Sequence, residues 1–369
     1  MVRKVSLVLL VVSLLLLSAG SLRAAQPESE QALAWLQSGR IAEQPIQNPD
    51  GGFINGFTPV SDLGSTVEVL LAGAAAQVNV AAWRSAEGRT PLDFVRTQVQ
   101  GGVVTDTARL SRAVFAAVVT GEDPRAFAGH DLIAELLATQ AESGQLGDSL
   151  YAHSYALLAL HAAGQPLPQA AVELLLTQQQ PGGGWAMFGG NEPDSADTNT
   201  TALAMQALVA AGKLEPARKA LDYLRTVQNE DGGFPWQKPS PWGTATDANS
   251  TAVVIQALLT VGEDPATWKP AGQSPYDALR GLHHAATGGF IWQIPTTPQG
   301  AVAEPNILAT AQAVQALEGM TLVALRPLPR TEEAPVVLPQ AGGRAAPEIW
   351  FGLGVSFLAL GLFTLRRRA

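Results

Sequence analysis

The chain has 369 residues, 47% of them hydrophobic, with 32 acidic and 23 basic side chains, 36 glycines, 25 prolines and no cysteine. That is enough apolar material for one large core or two ordinary ones, and too much for a disordered chain. A formal net charge of −9 argues against a nucleic-acid partner, and zero cysteine excludes disulfides, thiolate zinc sites, iron–sulfur clusters, a cysteine nucleophile and a lipidated cysteine.

Residues 1–25 read as an export signal. Arg3 and Lys4 give the positive start, Val5 to Leu17 form the apolar run, and Ser18, Ala19, Gly20, Ala24 and Ala25 offer small cleavage residues. An uncleaved membrane anchor is the alternative. Both readings place the body of the chain outside the cytoplasm.

Residues 26–325 read as a repeat array. A turn of paired glycines and an aromatic recurs: Gly51-Gly52-Phe53, Gly183-Gly184-Trp185, Gly232-Gly233-Phe234 and Gly288-Gly289-Phe290. Weaker copies end at Val103 and Leu146. The six anchors are spaced by 39 to 56 residues, which gives six units. In each, an apolar helix runs into the turn. A loop and a second, nearly uncharged helix come next, as in Asp197-Thr198-Asn199-Thr200-Thr201 and Asp247-Ala248-Asn249-Ser250-Thr251. Asp, Asn and Ser at these starts are N-caps, because their side-chain oxygens take up free amide protons of the first turn. Gly121, Gly164, Gly212 and Gly262 stop the helices. The second helices are apolar on most faces and belong inside; the first helices carry charges and belong outside. Twelve helices in an inner and an outer ring form an open solenoid or a closed one. The inner helices are too apolar for an open concave face, so closure is expected.

Closure gathers the inner-helix N-termini at one mouth. Asp62, Asp106, Asp194, Asp197, Asp247, Asn249 and Asn306 then ring it, as simple caps or as a polar rim for a ligand or cation. Trp185, Phe234 and Phe290 belong to the turn cores. Trp236, Trp242 and Trp292 lie beyond them and suit a flat apolar ligand or a sugar ring. His283-His284 has no third ligand at metal spacing, so no metal site is expected. Gly182-Gly183-Gly184 lacks the Lys and Ser/Thr of a phosphate loop, and no Gly-x-Ser-x-Gly elbow occurs.

Residues 326–348, rich in Pro and Ala, read as an extended stalk. Residues 349–369 read as a membrane helix, Ile349 to Leu365, with a cytoplasmic tail at Arg366-Arg367-Arg368. Leu338-Pro339-Gln340-Ala341-Gly342, the apolar run and the basic tail together resemble a sortase cell-wall sorting signal, although Ala341 stands where threonine is usual. The resemblance implies a surface location and processing at Leu338 to Gly342. Divided this way, residues 26–325 hold 14 basic and 29 acidic side chains, a net charge of −15, on a basic anchor.

The glycine turns resemble the QW-type repeats of the terpenoid cyclase and protein prenyltransferase superfamily, over about residues 31–320. That resemblance implies an all-α (α/α)6 toroid. A second likeness, through Thr201-Ala202-Leu203-Ala204-Met205-Gln206-Ala207-Leu208, is to the toroid of the cobalamin carriers, and it implies a corrinoid as ligand. Squalene–hopene-type cyclases use an Asp-x-Asp-Asp acid. Here Asp194-Ser195-Ala196-Asp197 lacks the adjacent pair. The prenyltransferase zinc site and the complement-type thioester both need a cysteine that is absent. The expectation is a surface-anchored, non-catalytic toroid that binds a bulky amphipathic ligand at its mouth through Trp236, Trp242, Trp292, Asp197, Asp247, Asn249 and Asn306. The alternatives are an acid-initiated cyclase using Asp194 or Asp197, and a structural surface scaffold.

Overall fold

A computed structural model of the chain describes residues 26–56, 58–294 and 303–330. The expected signal, most of the stalk, the sorting motif and the membrane helix lie outside these residues. No helix among the described residues is long and apolar enough to cross a membrane.

Twelve α-helices of the described residues alternate between two rings. The outer ring holds α1 (Pro27–Ser38), α3 (Pro91–Gln100), α5 (Leu132–Ala138), α7 (Gln169–Thr177), α9 (Leu214–Val227) and α11 (Pro275–Gly281). The inner ring holds α2 (Leu63–Ala76), α4 (Thr107–Thr120), α6 (Leu150–Ala162), α8 (Thr198–Ala210), α10 (Ala248–Thr260) and α12 (Ile307–Leu317). Each inner helix packs on the next, and α12 packs back on α2, so the array is a closed toroid. The inner helices are buried at nearly every position, as their low charge requires. α9 shows the outer pattern: Ala217, Ala220, Leu221 and Leu224 face in, while its acids and bases face water.

The glycine turns are the fasteners of this ring. Gln47, Gln179 and Gln228 each donate through Nε2 to the carbonyl of the positive-φ glycine four residues on. The aromatic after the glycines is fully buried, and its amide donates to a threonine hydroxyl on the inner helix at 2.8–3.0 Å: Phe53 to Thr66, Trp185 to Thr201, Phe234 to Thr251 and Phe290 to Thr310. In the third unit His153 takes the threonine's place. Its Nδ1 accepts from the Leu146 amide, so Nε2 carries the proton and donates to the Ala171 carbonyl. Burial lowers the His153 pKa to about 4 against that last bond, which keeps the ring neutral.

The second unit departs from the expectation. Val103 is exposed and Val104 is buried in its place, because Gly101 and Gly102 are spent on ending α3. The closing seam repeats the interior ones. Gly288 has φ +89, and a Cβ there would lie 2.6 Å from the carbonyl oxygen of Gln31 on α1. Gly183 makes the same approach to the next outer helix, 2.4 Å from the carbonyl oxygen of Lys219 on α9. The last turn therefore grips the first outer helix as any turn grips the helix after it.

Residues 326–330, read above as the start of the stalk, belong to the toroid. Arg326 donates to the carbonyls of Ala75 and Glu318, and Leu328 donates to Val119. These open carbonyls at inner-helix C-termini attract a cation and any free donor.

Candidate functional site

The helical repeat dictates what faces the toroid axis. Residues four and then three apart share one helix face. Counted from each cap, the second, sixth and ninth residues of the inner helices form three layers. The upper layer brings Tyr151, Asn199, Asn249 and Leu308 together. The middle layer brings Glu68, Arg112, Tyr155, Leu203, Val253 and Gln312. The lower layer brings Gln206, Gln256 and Gln315 beside Leu71, Phe115 and Leu158. Most of the polar members line an axial cavity of about 90 Å3, closed below by Leu322.

Glu68 is the anchor of this cavity. It is 4% exposed, and both of its carboxylate oxygens accept bonds, Oε1 from the Tyr155 hydroxyl at 3.1 Å and Oε2 from Gln315 Nε2 at 2.7 Å. Asn249 Nδ2 donates to Gln312 Oε1 at 2.8 Å. The Arg112 guanidinium lies against the Tyr155 ring, 5.4 Å from its centre. Gly64, one turn above, makes room for it: a Cβ there would sit 3.1 Å from Arg112 Nε. Burial opposes the charge on Arg112, but Tyr155, Tyr151, Glu68 and Asp62 outweigh it and raise its pKa. Burial raises the pKa of Tyr151 and raises that of Tyr155 further, so both keep their hydroxyl protons.

The two ends of the axis differ. At the lower end, residues 318–330 cross the inner-helix C-termini. The Leu322 amide donates to Gln206 Oε1, His161 Nε2 bonds the Val323 carbonyl, and Gln77 donates to Pro327. At the upper end the loops carry exposed aromatics among the caps. Trp242 is 88% and Phe188 78% exposed, and Trp236 and Trp292 are half-exposed. Trp236 and Trp292 occupy equivalent places two residues after the turn aromatic. Their carbonyls accept the first amides of the preceding inner helices, Thr198 and Ala248.

The expected rim acids divide into three groups. Asp62, Asp106, Asp197, Asp247 and Asn306 are N-caps, each accepting the amide three residues on at 2.7–3.0 Å. Ser149 is the sixth cap. Asp194 is exposed in the loop before α8. Asn249 faces the cavity. Asp197 and Asp247 are buried, and burial raises each pKa to about 6 against the backbone bonds that lower it. Among the described residues no group of three or more acids and histidines is placed to hold a metal. The sequence reading missed Glu68, Arg112 and the glutamine layer. Their signal was present, since Glu68 and Arg112 are charges on helices otherwise almost free of them.

No protein-family model matches the chain. A stretch of 72 residues is 43% identical to an MMP endo-(1,4)-3-O-methyl-alpha-D-mannosidase of Mycolicibacterium hassiacum, over 20% of this chain and 19% of that protein. The chain thus matches less than a fifth of that relative's length. Among solved structures, a type II terpene cyclase, MstE from Scytonema, aligns with TM-score 0.55 and 14% identity over 79% of this chain and 96% of that one. An unsaturated glucuronyl hydrolase specific for heparin aligns with TM-score 0.54 and 14% identity over 79% and 95%. These likenesses are of fold. They agree with the ring closure seen here, and the chain is an all-α toroid.

Proposed function

We propose that the protein is a ligand-binding toroid whose ligand docks across the upper mouth. One observation carries this reading: exposed Phe188, Trp236, Trp242 and Trp292 stand together in the loops of the fourth to sixth units, on one side of the end where the inner helices begin, above an axis lined with amides and hydroxyls. Exposed rings beside converging polar groups suit a ligand with flat apolar faces and a polar fringe. A cavity of about 90 Å3 has room for an arm of such a ligand but not its body. A corrinoid, implied by the cobalamin-carrier resemblance, has that shape, and its body would lie on the rim.

A second reading is a neutral glycan, favoured by the 72-residue stretch that is 43% identical to part of a mannosidase. Sugar rings stack on tryptophan and their hydroxyls pair with amides. The cyclase reading through Asp194 or Asp197 has less support. Asp194 is an exposed loop residue, Asp197 is spent as a cap, and the axial cavity holds roughly three waters' worth of volume, too little for an isoprenoid chain.

Export by residues 1–25 and anchoring through residues 331–369 complete the proposal. Deleting residues 344–369 should then release the protein into the medium, and continued cell retention would refute the anchor. Ligand binding is tested by native mass spectrometry of the protein with cyanocobalamin, a 3-O-methylated mannose oligosaccharide and geranylgeranyl diphosphate. A mass gain with one of the first two, lost in a Trp236→Ala/Trp292→Ala double variant, is expected. No gain with either, or a gain that the double variant keeps, would overturn docking at the mouth.

A further inference from the structure

The axial cavity has a chemical preference of its own. Of the described residues that line it, Glu68 alone carries a formal charge. The cation nearest in kind, Arg112, does not line it and lies against the Tyr155 ring. Each Glu68 oxygen takes one protein hydrogen bond, and a carboxylate offers about four acceptor positions in all. Asn199, at the cavity's upper edge, has a buried Oδ1 with no partner. Asn249 and Gln315 spend donors on neighbouring oxygens. The cavity therefore has acceptors to spare, a negative charge, and no opposing cation on its wall.

We propose that this cavity is a subsite for a compact hydrogen-donating group without negative charge. A primary amide, a pair of hydroxyls or an amidinium fits, held by Glu68 in the middle layer and Asn199 in the upper one. A carboxylate or sulfate terminus is disfavoured, because the one charge on the cavity wall is that of Glu68, while Arg112, which interacts with Glu68, lies off the wall against the Tyr155 ring. The proposal rests on reading the mouth as the docking surface and names the chemistry of the arm that enters. It distinguishes the toroid from one built for uronic acids. A corrinoid's amide arms and a glycan's hydroxyls are two sources of the same donor chemistry.

The test uses fragments small enough for the cavity. Acetamidinium, acetamide and acetate share one shape and carry charges of plus one, zero and minus one; ethylene glycol supplies the hydroxyl arm. Binding to the intact chain is measured by saturation-transfer NMR titration, and Val253→Phe, which fills the cavity, locates the signal. Acetamidinium and acetamide should bind, and acetate should bind roughly 100-fold more weakly or not at all. Glu68→Gln should abolish the preference for acetamidinium over acetamide while acetamide binding stays within about threefold. Thermal unfolding confirms that the variant folds, and the wild-type acetate comparison stands even where it does not. The stronger of acetamide and ethylene glycol identifies an amide-fringed or a hydroxyl-bearing source. Acetate binding as well as acetamide, no fragment binding, or binding that survives Val253→Phe would overturn the proposal. None of these outcomes bears on the rim, which stands or falls with the tryptophan variants.

Discussion

The two ends of the toroid axis are built from opposite choices. At the lower end the chain spends its last described segment on sealing: residues 318–330 satisfy inner-helix carbonyls and drop Leu322 onto the cavity floor. At the upper end the caps satisfy the amides locally, so no strap is needed, and large aromatics stay in water. Helix polarity creates the difference. Amides are satisfied by short cap side chains within the same turn, three residues before them, whereas carbonyls need donors from elsewhere. The end that caps itself is the end left uncovered.

Four variants sharpen this contrast, taken from the largest effect down. Leu322→Asp places an unpaired charge at the sealed floor and should lower stability by about 3–5 kcal/mol in thermal unfolding, while Leu322→Met should cost less than about 1.5 kcal/mol. Near-wild-type melting of the aspartate variant would mean the strap is not part of the fold. Trp185→Ala, inside a turn core, should cost about 3–5 kcal/mol; Trp242→Ala, at the open rim, should stay within about 0.5 kcal/mol. Equal losses from the two would erase the distinction between fastener and rim.

The caps give a pH signature. Asp197 and Asp247 have folded pKa values near 6, above the ordinary value of about 3.9 for an unfolded chain. The folded state then holds more protons between about pH 4 and pH 6, so this part of the stability falls as pH rises through that window. His153 has the opposite sign. With a folded pKa near 4 and an unfolded one near 6.5, its contribution is lost as pH falls from about 6.5 to 4. Asp197→Asn copies the cap that Asn306 already provides in the sixth unit. It should hold or raise stability at pH 7 by on the order of 1 kcal/mol and flatten the acid side of the Tm–pH profile. An unchanged profile would put the cap's charge in water. A similarly small effect is expected for His153→Thr, the residue used at that place in four other units. It should lose about 1 kcal/mol or less and remove the fall below pH 6.5.

Much of the fold was legible because punctuation recurs. Glycines that need positive φ, caps that need Asp or Asn, and a buried aromatic appear at similar spacing, and each maps onto one physical requirement. The second unit was harder to place. Its glycines end a helix as well as mark a turn, and the anchor slipped by one residue from Val103 to Val104. The lumen was least legible. Glutamine at 206, 256 and 315 reads like any polar residue until the helix register stacks the three in one layer. Residues 318–330 have no periodicity, and their role comes entirely from the carbonyls they meet.

The seam where Gly288 meets α1 has a consequence for assembly. The Gln26 amide bonds Glu318, 292 positions away, and α12 lies on α2. A linear solenoid has two end repeats that can be trimmed one at a time. A ring has none, so losing α1 or α12 strips two faces at once and leaves no smaller version of the same object. Its native contacts include pairs from opposite ends of the domain, a high-contact-order arrangement that delays completion until both ends are present. By the same token the chain's starting point is arbitrary. A permutant that joins residues 26 and 330 through a flexible linker and opens in an outer loop, such as that of Gly272, keeps every seam.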